Sequence, residues 1–574
     1  MMHGVVRLAW VAVLMLWMLP MTEALAAPSP PALFDPPPTV RATSSGASPR
    51  AVVRQRSVAA RLGLLTRSDG SSALSAGDRV ELNLFDDARF SMTVTEVARH
   101  GGHGLTWNGT LDGVDLGFAA LAVYDGALVG QVWTPAATYR IGYAPDGTPV
   151  VEEIDQAVLP RESEADAPVG AESLDADAPH AAGDTAAQID VMVLYTAAAR
   201  MAAGGTVAMR AQAALAVGTS NTAYGNNDLV QRLRLVYTGE FALTETGDFN
   251  GELNTLQSNT TVRWLRDVTR ADIVSILVQH GPTAPCGIGF VMRSLSASFA
   301  ANAFNVVERD CASSNLSFPH ELGHNMGANH DAFVIGGDIG LAIYSKGWVD
   351  LTGKFRTIMA YNDQCAIAGF NCQRIPYFSS PNKTFNGRTV GNAATADNSR
   401  TLSESANTVA NFRQALASPL TITATVNQPT FAVGQPLVAS VSLNHAGGLS
   451  GAADFYVGLL LPDGTAVFFT DVTITPTSGY ALGSITNVAS YRPIATGIPL
   501  GAPFSATLNA FLTYPRQAGD PTGGSTFFVF AVKSGVLASN AFISDVLIAA
   551  SLAPFTFPAN NPGDTACADA GCEP

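Results

Sequence analysis

The sequence predicts a multidomain chain whose middle third is an α/β (α+β) unit, set between an N-terminal β-rich domain and a C-terminal β-sandwich. Three observations predict it. The 574 residues are enough for three or four domains of about 150 residues each. Buried-type apolar runs alternate with helical stretches only between residues 187 and 415, the pattern of strands joined by crossover helices. On either side, short β-type runs recur between Gly, Asp, Asn and Pro turns with little helical signal.

Composition narrows the class further. Hydrophobic residues make up 47% and charged residues 14%, which excludes a disordered polyelectrolyte. The net charge of −15 is uneven: 12 basic against 22 acidic residues in 1–186, 17 against 17 in 187–415, and 3 against 8 in 416–574. No segment has the basic excess that phosphate neutralisation requires, so nucleic acid is not an expected partner. Arg7, the apolar stretch Leu8–Leu19 and Ala24-Leu25-Ala26 read as a secretory signal over 1–26. That stretch is short and meets Pro20 and Glu23, so no membrane anchor is expected. Val536–Leu552 is the nearest later candidate and contains Asn540 and Asp545, so the expectation is a secreted chain. Six cysteines, an even number, suit disulfides in an exported protein. Among the 15 pairings that six cysteines allow, sequence neighbours give Cys286–Cys311, Cys365–Cys372 and Cys567–Cys572. CxxC spacing is absent, which argues against a thiolate zinc cluster.

The elements follow in order. Residues 28–50, rich in Pro, Ser and Ala, read as a flexible leader. Residues 51–150 carry β runs at Val80–Phe85, Phe90–Val97, Leu116–Val123, Leu128–Trp133 and Thr138–Tyr143. Residues 152–184 hold ten acidic residues and one Arg, the composition of an exposed linker open to proteases. Ile189–Tyr195 then reads as a buried strand, Ala197–Thr219 as an Ala-rich helix, Leu229–Val236 as a strand, Leu253–Val268 as a helix and Asp272–Val278 as a strand. Past residue 416, strands are expected at Leu420–Val426, Leu437–Leu443, Phe455–Leu461, Ala466–Val472, Phe504–Leu512 and Ser525–Val532. The divisions are 1–26 signal, 27–186 β-rich domain with acidic linker, 187–415 central domain, 416–552 sandwich and 553–574 tail. No glycine–aspartate calcium nonapeptide is present, so a structural calcium ion stays open without a motif behind it.

The chemistry is concentrated in Phe318-Pro319-His320-Glu321-Leu322-Gly323-His324-Asn325-Met326-Gly327-Ala328-Asn329-His330-Asp331. His320 and His324, four apart on a helix, project from one face and can grip one Zn²⁺. Glu321 lies beside them, placed to reach a water on the metal rather than the metal itself. Ser317 and Pro319 fit the helix start as cap and first-turn residues. Gly327 permits the left-handed bend that lets His330 return as third ligand, leaving a fourth position for water.

With its H-E-x-x-H-x-x-G-x-x-H spacing this segment resembles the metzincin zinc peptidases. The resemblance implies a methionine turn under the metal, which Thr357-Ile358-Met359-Ala360-Tyr361 fits, with Met359 as its methionine. Asn325 and Asp331 look like the reprolysin (adamalysin) branch, whereas Tyr361 looks like the astacin and serralysin turn. The mixture resembles bacterial reprolysin-like peptidases, including the peptidyl-Asp metalloendopeptidases, and Ile375–Asn382 adds to the likeness. Zn²⁺, one catalytic ion, is the implied cofactor, and protein or peptide substrates are the implied partners. Glu321 would act as general base, and Tyr361 would steady the developing oxyanion. Asp331 would orient the loop or a ligand histidine, or else only cap local backbone. Substrate would lie extended beside an edge strand, for which Gly287–Met292 is the candidate because Cys286 can pin it to Cys311. A preference for acidic residues would need a basic pocket residue such as Arg356 or Arg374, though each reads first as a solvated surface charge.

Residues 27 to about 186 then read as a propeptide, cleaved between 155 and 190. It contains no cysteine, so thiolate blockage of the metal is excluded; His100 and His103 are available instead, but read as plain loop residues. Three function classes follow: a secreted zinc endopeptidase, a zinc-binding adhesion or scaffold protein on the same fold, and a zinc hydrolase of esters or amides. Intact Glu321 disfavours the second, and a strand-like cleft disfavours the third.

Overall fold

The computed structural model describes residues 29–36 and 51–559, apart from 101–103, 164–184, 186, 282, 339, 417, 475–477 and 538–542. The expected signal segment, His103, most of the acidic linker, and residues 560–574 of the expected tail, with Cys567 and Cys572, lie outside the described residues, whereas 553–557 of that tail are strand.

Eight strands form the first sheet: β1 (Val52–Ser57), β2 (Arg79–Phe85), β3 (Ala88–His100), β4 (Gly104–Leu111), β5 (Phe118–Tyr124), β6 (Ala127–Trp133), β7 (Thr138–Tyr143) and β8 (Pro149–Ile154). All pairings are antiparallel, in the order β1-β8-β7-β6-β5-β4-β3-β2. Arg54 of β1 reaches Asp87, in the β2–β3 turn, at 2.9 Å, so the two ends of the sheet come together around one core. Leu33 and Phe34 are buried in that core, and Leu33 N donates to Glu81 O, so part of the expected flexible leader is ordered sheet packing. The expected linker is also corrected. Its first residues belong to β8, Glu152 and Gln156 are buried, and Glu162 is 2% exposed. An acidic run reads as solvated only when its carboxylates have no partners, and here several have arginines.

The central unit runs β9 (Gln188–Tyr195), α1 (Ala197–Ala202), α2 (Thr206–Asn226), β10 (Arg232–Glu240), α3 (Phe249–Ser258), α4 (Thr260–Thr269), β11 (Ile273–Val278), β12 (Gly287–Gly289), β13 (Phe304–Glu308) and α5 (Ser317–Asn325). The sheet order is β10-β9-β11-β13-β12, parallel except for β12, which pairs antiparallel to β13 at the edge. The single expected Ala-rich helix is two, divided at Gly204 and Gly205, whose φ angles of 83° and 122° leave the helical range. The expected helix over 253–268 is likewise divided, at Asn259, whose side chain caps the second half by accepting from Val262 N. The α2 side chains are mostly buried and small because this helix is covered on both sides. One side meets the central sheet; the other meets Ala120, Ala122, Ala127 and Val129 of β5 and β6.

Past residue 416, Leu420–Val426, Pro436–His445 and Phe504–Pro515 form a three-stranded sheet. A six-stranded sheet faces it across one apolar core, using Ala452–Leu460, Thr465–Phe469, Tyr480–Ser484, Ala495–Pro499, Gly523–Lys533 and Leu547–Phe557. Its outer face brings Phe528 and Phe530 edge-on to Trp264 of α4, at 5.6 and 6.2 Å between ring centres. Among the described residues no helix is long and apolar enough to cross a membrane.

Candidate active site

Helix α5 carries the first two histidines and is buried along its whole length. Its cap is Leu316, at φ 57° and without a side-chain cap, rather than Ser317; the Ser317 hydroxyl is used elsewhere. The helix ends at Met326, and Gly327 takes φ +92°, where an L side chain would be strained and a Cβ would stand 2.8 Å from Leu341 Cβ. That bend returns the chain so that the imidazoles of His320, His324 and His330 meet.

Their Nε2 atoms lie 3.2, 3.0 and 3.1 Å apart. His320 Nδ1 donates to Ile358 O at 2.8 Å and His324 Nδ1 to Ala328 O at 3.0 Å. Each of those rings therefore carries its proton on Nδ1 and turns a lone pair into the shared space. Burial pushes His320 down to about 4 and His324 to about 3, and lowers His330 as well, so all three are neutral near pH 7. Neutral nitrogens that close, without a proton between them, fit a shared cation. Tetrahedral zinc at 2.0–2.1 Å from each nitrogen spaces its ligands by about 3.3 Å. The donor set thus fits one zinc ion.

Around the three histidines the other sequence-identified residues fall as follows. Met359 is buried beneath α5; its sulfur occupies the space a Cβ on Gly323 would need, 2.6 Å away. Tyr361 lies against His330 with ring centres 4.3 Å apart. Asp331 accepts from Tyr361 N at 3.0 Å, Gln364 Nε2 at 3.1 Å and Phe333 N at 3.2 Å, tying the His330 loop to the methionine turn. Its carboxylate is spent on these groups rather than on a histidine ring. Glu321 is buried, and among the described residues both its carboxylate oxygens lack a hydrogen-bond partner. It faces β12, where a Cβ on Gly287 would stand 2.5 Å from Oε1 and one on Gly289 3.1 Å from Oε2. The edge strand is shorter than Gly287–Met292, covering Gly287–Gly289, and the Cys286–Cys311 disulfide holds its start. The second disulfide joins Cys365 and Cys372.

Three placements depart from the sequence reading. His100 is buried at the end of β3 with its ring 3.0 Å from Thr106 Oγ1, so it belongs to the first sheet and not to the histidine cluster. Arg356 and Arg374 are buried rather than solvated. Arg356 donates to Cys372 O and Ala360 O, whereas Arg374 makes a two-pronged pair with Glu162, one prong at 2.9 Å. Sequence reasoning missed Glu162, Ser317 as a polar contact, and the two glycines of β12. Only the Cys-Gly-Ile-Gly run next to a disulfide carried any signal of close approach.

Residues 185–396 match the profile of the metallo-peptidase family M12B, reprolysin-like. The chain is 34% identical over 279 residues to a peptidyl-Asp metalloendopeptidase of Stenotrophomonas maltophilia (strain K279a), covering 46% of this chain and 63% of that protein. It is 32% identical over 318 residues to one from Xanthomonas campestris pv. campestris, covering 53% and 72%. A Pseudomonas aeruginosa protein of the same name is 31% identical over 42% of each chain. The match to the first of these thus spans somewhat less than two thirds of its length. The span matched by the profile contains the histidine cluster, and the chain belongs to the reprolysin-like M12B family of metallopeptidases.

Proposed function

We propose that the chain is a secreted zinc endopeptidase, made with residues 27–186 as a pro-region and 416–552 as an accessory domain. The observation that carries this reading is Glu321: a buried carboxylate with no hydrogen-bond partner among the described residues, next to three converging histidines. An unpaired buried carboxylate is costly, and a structural role would have given it a donor. His320, His324 and His330 would hold a zinc ion, which would supply Lewis-acid polarisation of the scissile carbonyl and lower the pKa of water at the site towards about 7. Glu321 takes a proton from the attacking water as general base and returns it to the leaving amine. The Tyr361 phenol, raised above its ordinary range by burial and so protonated, donates a hydrogen bond to the developing oxyanion. Met359 supports the floor of the site from below α5. The names of the relatives suggest cleavage at aspartate, and a preference for acidic side chains belongs to the same proposal.

The test is casein hydrolysis by the processed protein and by its Glu321→Ala variant, with zinc quantified in both. The expected result is a fall of about 10²–10⁴-fold with zinc retained. Equal rates would sink the mechanism. Inactivity of both despite bound zinc would favour a zinc-binding scaffold.

A further inference from the structure

The last described residues before the acidic segment run into the cleft. Cys286 N donates to Arg161 O at 2.9 Å and Ser163 N to Gly287 O at 2.8 Å, so residues 161–163 extend the central sheet beyond β12. Tyr361 Oη donates to Ser163 O at 3.2 Å, and the Arg161 guanidinium sits 5.8 Å over the Tyr361 ring. Between these two anchors the Glu162 side chain enters a closed pocket. Ser317 Oγ donates to Oε1 at 2.7 Å, Asn315 Nδ2 approaches it at 3.4 Å, and Arg374 grips both oxygens. Arg374 is 0% exposed and is fixed from behind by donating to Asn315 O at 2.8 Å and Ala360 O at 3.3 Å. Among the described residues Glu162 is the one carboxylate within ion-pair reach of Arg374.

A buried guanidinium whose remaining partners are backbone carbonyls is a receptor for a planar anion. Its carboxylate comes from a segment that pairs with the edge of the site and contacts Tyr361. We propose that Arg374, with Ser317 and Asn315, forms the pocket that selects acidic side chains of the substrate, and that Glu162 occupies this pocket in the precursor as a substrate stand-in. This rests on the endopeptidase reading for its consequence, latency, but not for the docking itself. Specificity and latency then share one pocket: whatever the pocket accepts best is also what closes it. It takes Glu162 and has the donors for aspartate, so the ligand class is an extended peptide bearing a carboxylate side chain.

Two measurements test this, the first on the full-length chain and the second on the processed one. The first is amide hydrogen exchange of wild type, Glu162→Gln and Arg374→Gln. Both substitutions are expected to lower protection at 161–163 and 286–289 at least tenfold while β11 stays protected; unchanged protection in Glu162→Gln overturns the proposal. Loss of β11 protection in Arg374→Gln would mark that variant as misfolded, and Glu162→Gln then decides alone. The second compares kcat/KM of the processed chain on peptides differing only as Asp against Asn or Glu against Gln. A preference of about 100-fold for the acids, collapsing in Arg374→Gln, is expected. Equal hydrolysis of acid and amide overturns the pocket and leaves the endopeptidase standing. No hydrolysis of either, with Glu162-dependent exchange, removes the endopeptidase and leaves the docking standing.

Discussion

At Gly287 a single methyl group would collide with the group that does the chemistry, since its Cβ would stand 2.5 Å from Glu321 Oε1. The carboxylate would have to swing away, and a displacement near 1 Å costs about 10²-fold in a positioned reaction. Gly287→Ala is therefore expected to lower kcat/KM by about that factor, with zinc content and thermal midpoint near wild type. A fully active variant would mean that Glu321 does not work from this position. His280 offers a second prediction. Its Nε2 lies 2.9 Å from Glu252 Oε1 and its Nδ1 3.5 Å from Glu308 Oε2. Burial opposes its charge, but Glu252 and Glu308, with Glu245 nearby, outweigh that and raise it to about 10. A raised folded value means stability fully present below about pH 6.5 and lost as pH rises through about 10. The thermal midpoint should fall across that window, and His280→Gln should flatten the fall; identical profiles would show that the cluster is not linked to folding. At this scale the histidines were legible because ligand spacing is local. Arg374 was named only as a possible basic pocket residue, and its pairing with Glu162 was not legible, because neither burial nor pairing across 212 positions leaves a local pattern.

Secondary elements were read well where side-chain period decided them. Thr138–Tyr143 and Leu420–Val426 stand as expected, and so does β9 to within one residue. Gly104–Leu111 and Leu547–Phe557 were missed, since both are rich in small or polar residues whose burial comes from neighbouring sheets. Strand β12, expected over Gly287–Met292 from its disulfide and found over Gly287–Gly289, has two glycines in three residues and no strand propensity, and is held by β13 and by the Cys286–Cys311 disulfide. That bridge closes 25 positions against 7 for Cys365–Cys372, so chain entropy assigns about 3.5 and about 2.4 kcal/mol to them respectively. Cys286→Ser with Cys311→Ser is expected to lower the unfolding free energy by the larger amount in urea and to depress activity through β12. The Cys365→Ser, Cys372→Ser pair should cost less. The reverse ranking would mean that the second loop, not the edge strand, depends on its bridge.

The whole molecule is held from two sides, and only one side was anticipated as separable. That the strands on either side of residues 187 and 416 fall in different sheets was legible from the change of period there. The docking of the parts was not, because an alanine-rich helix such as α2 presents the same small residues to a sheet on either side. The first sheet covers α2 and also shares an apolar cluster in which Trp133 packs with Phe355, Tyr377 and Phe385. Arg140 adds an ion pair to Asp310 at 2.7 Å, and Gln156 Nε2 donates to Ser314 O at 3.0 Å. A cut within 164–184 breaks none of these contacts. The nicked chain should therefore elute as one species on size exclusion even in 1 M salt, where charges are screened beyond about 3 Å but apolar contacts persist. The fragment ending near Ser163 should separate only in denaturant or after its own digestion. Activity against casein should then follow loss of that fragment rather than the first cut, because the cut leaves Glu162 seated. Full activity appearing at the moment of nicking, with the fragment still bound, would show that the docked segment does not block the cleft.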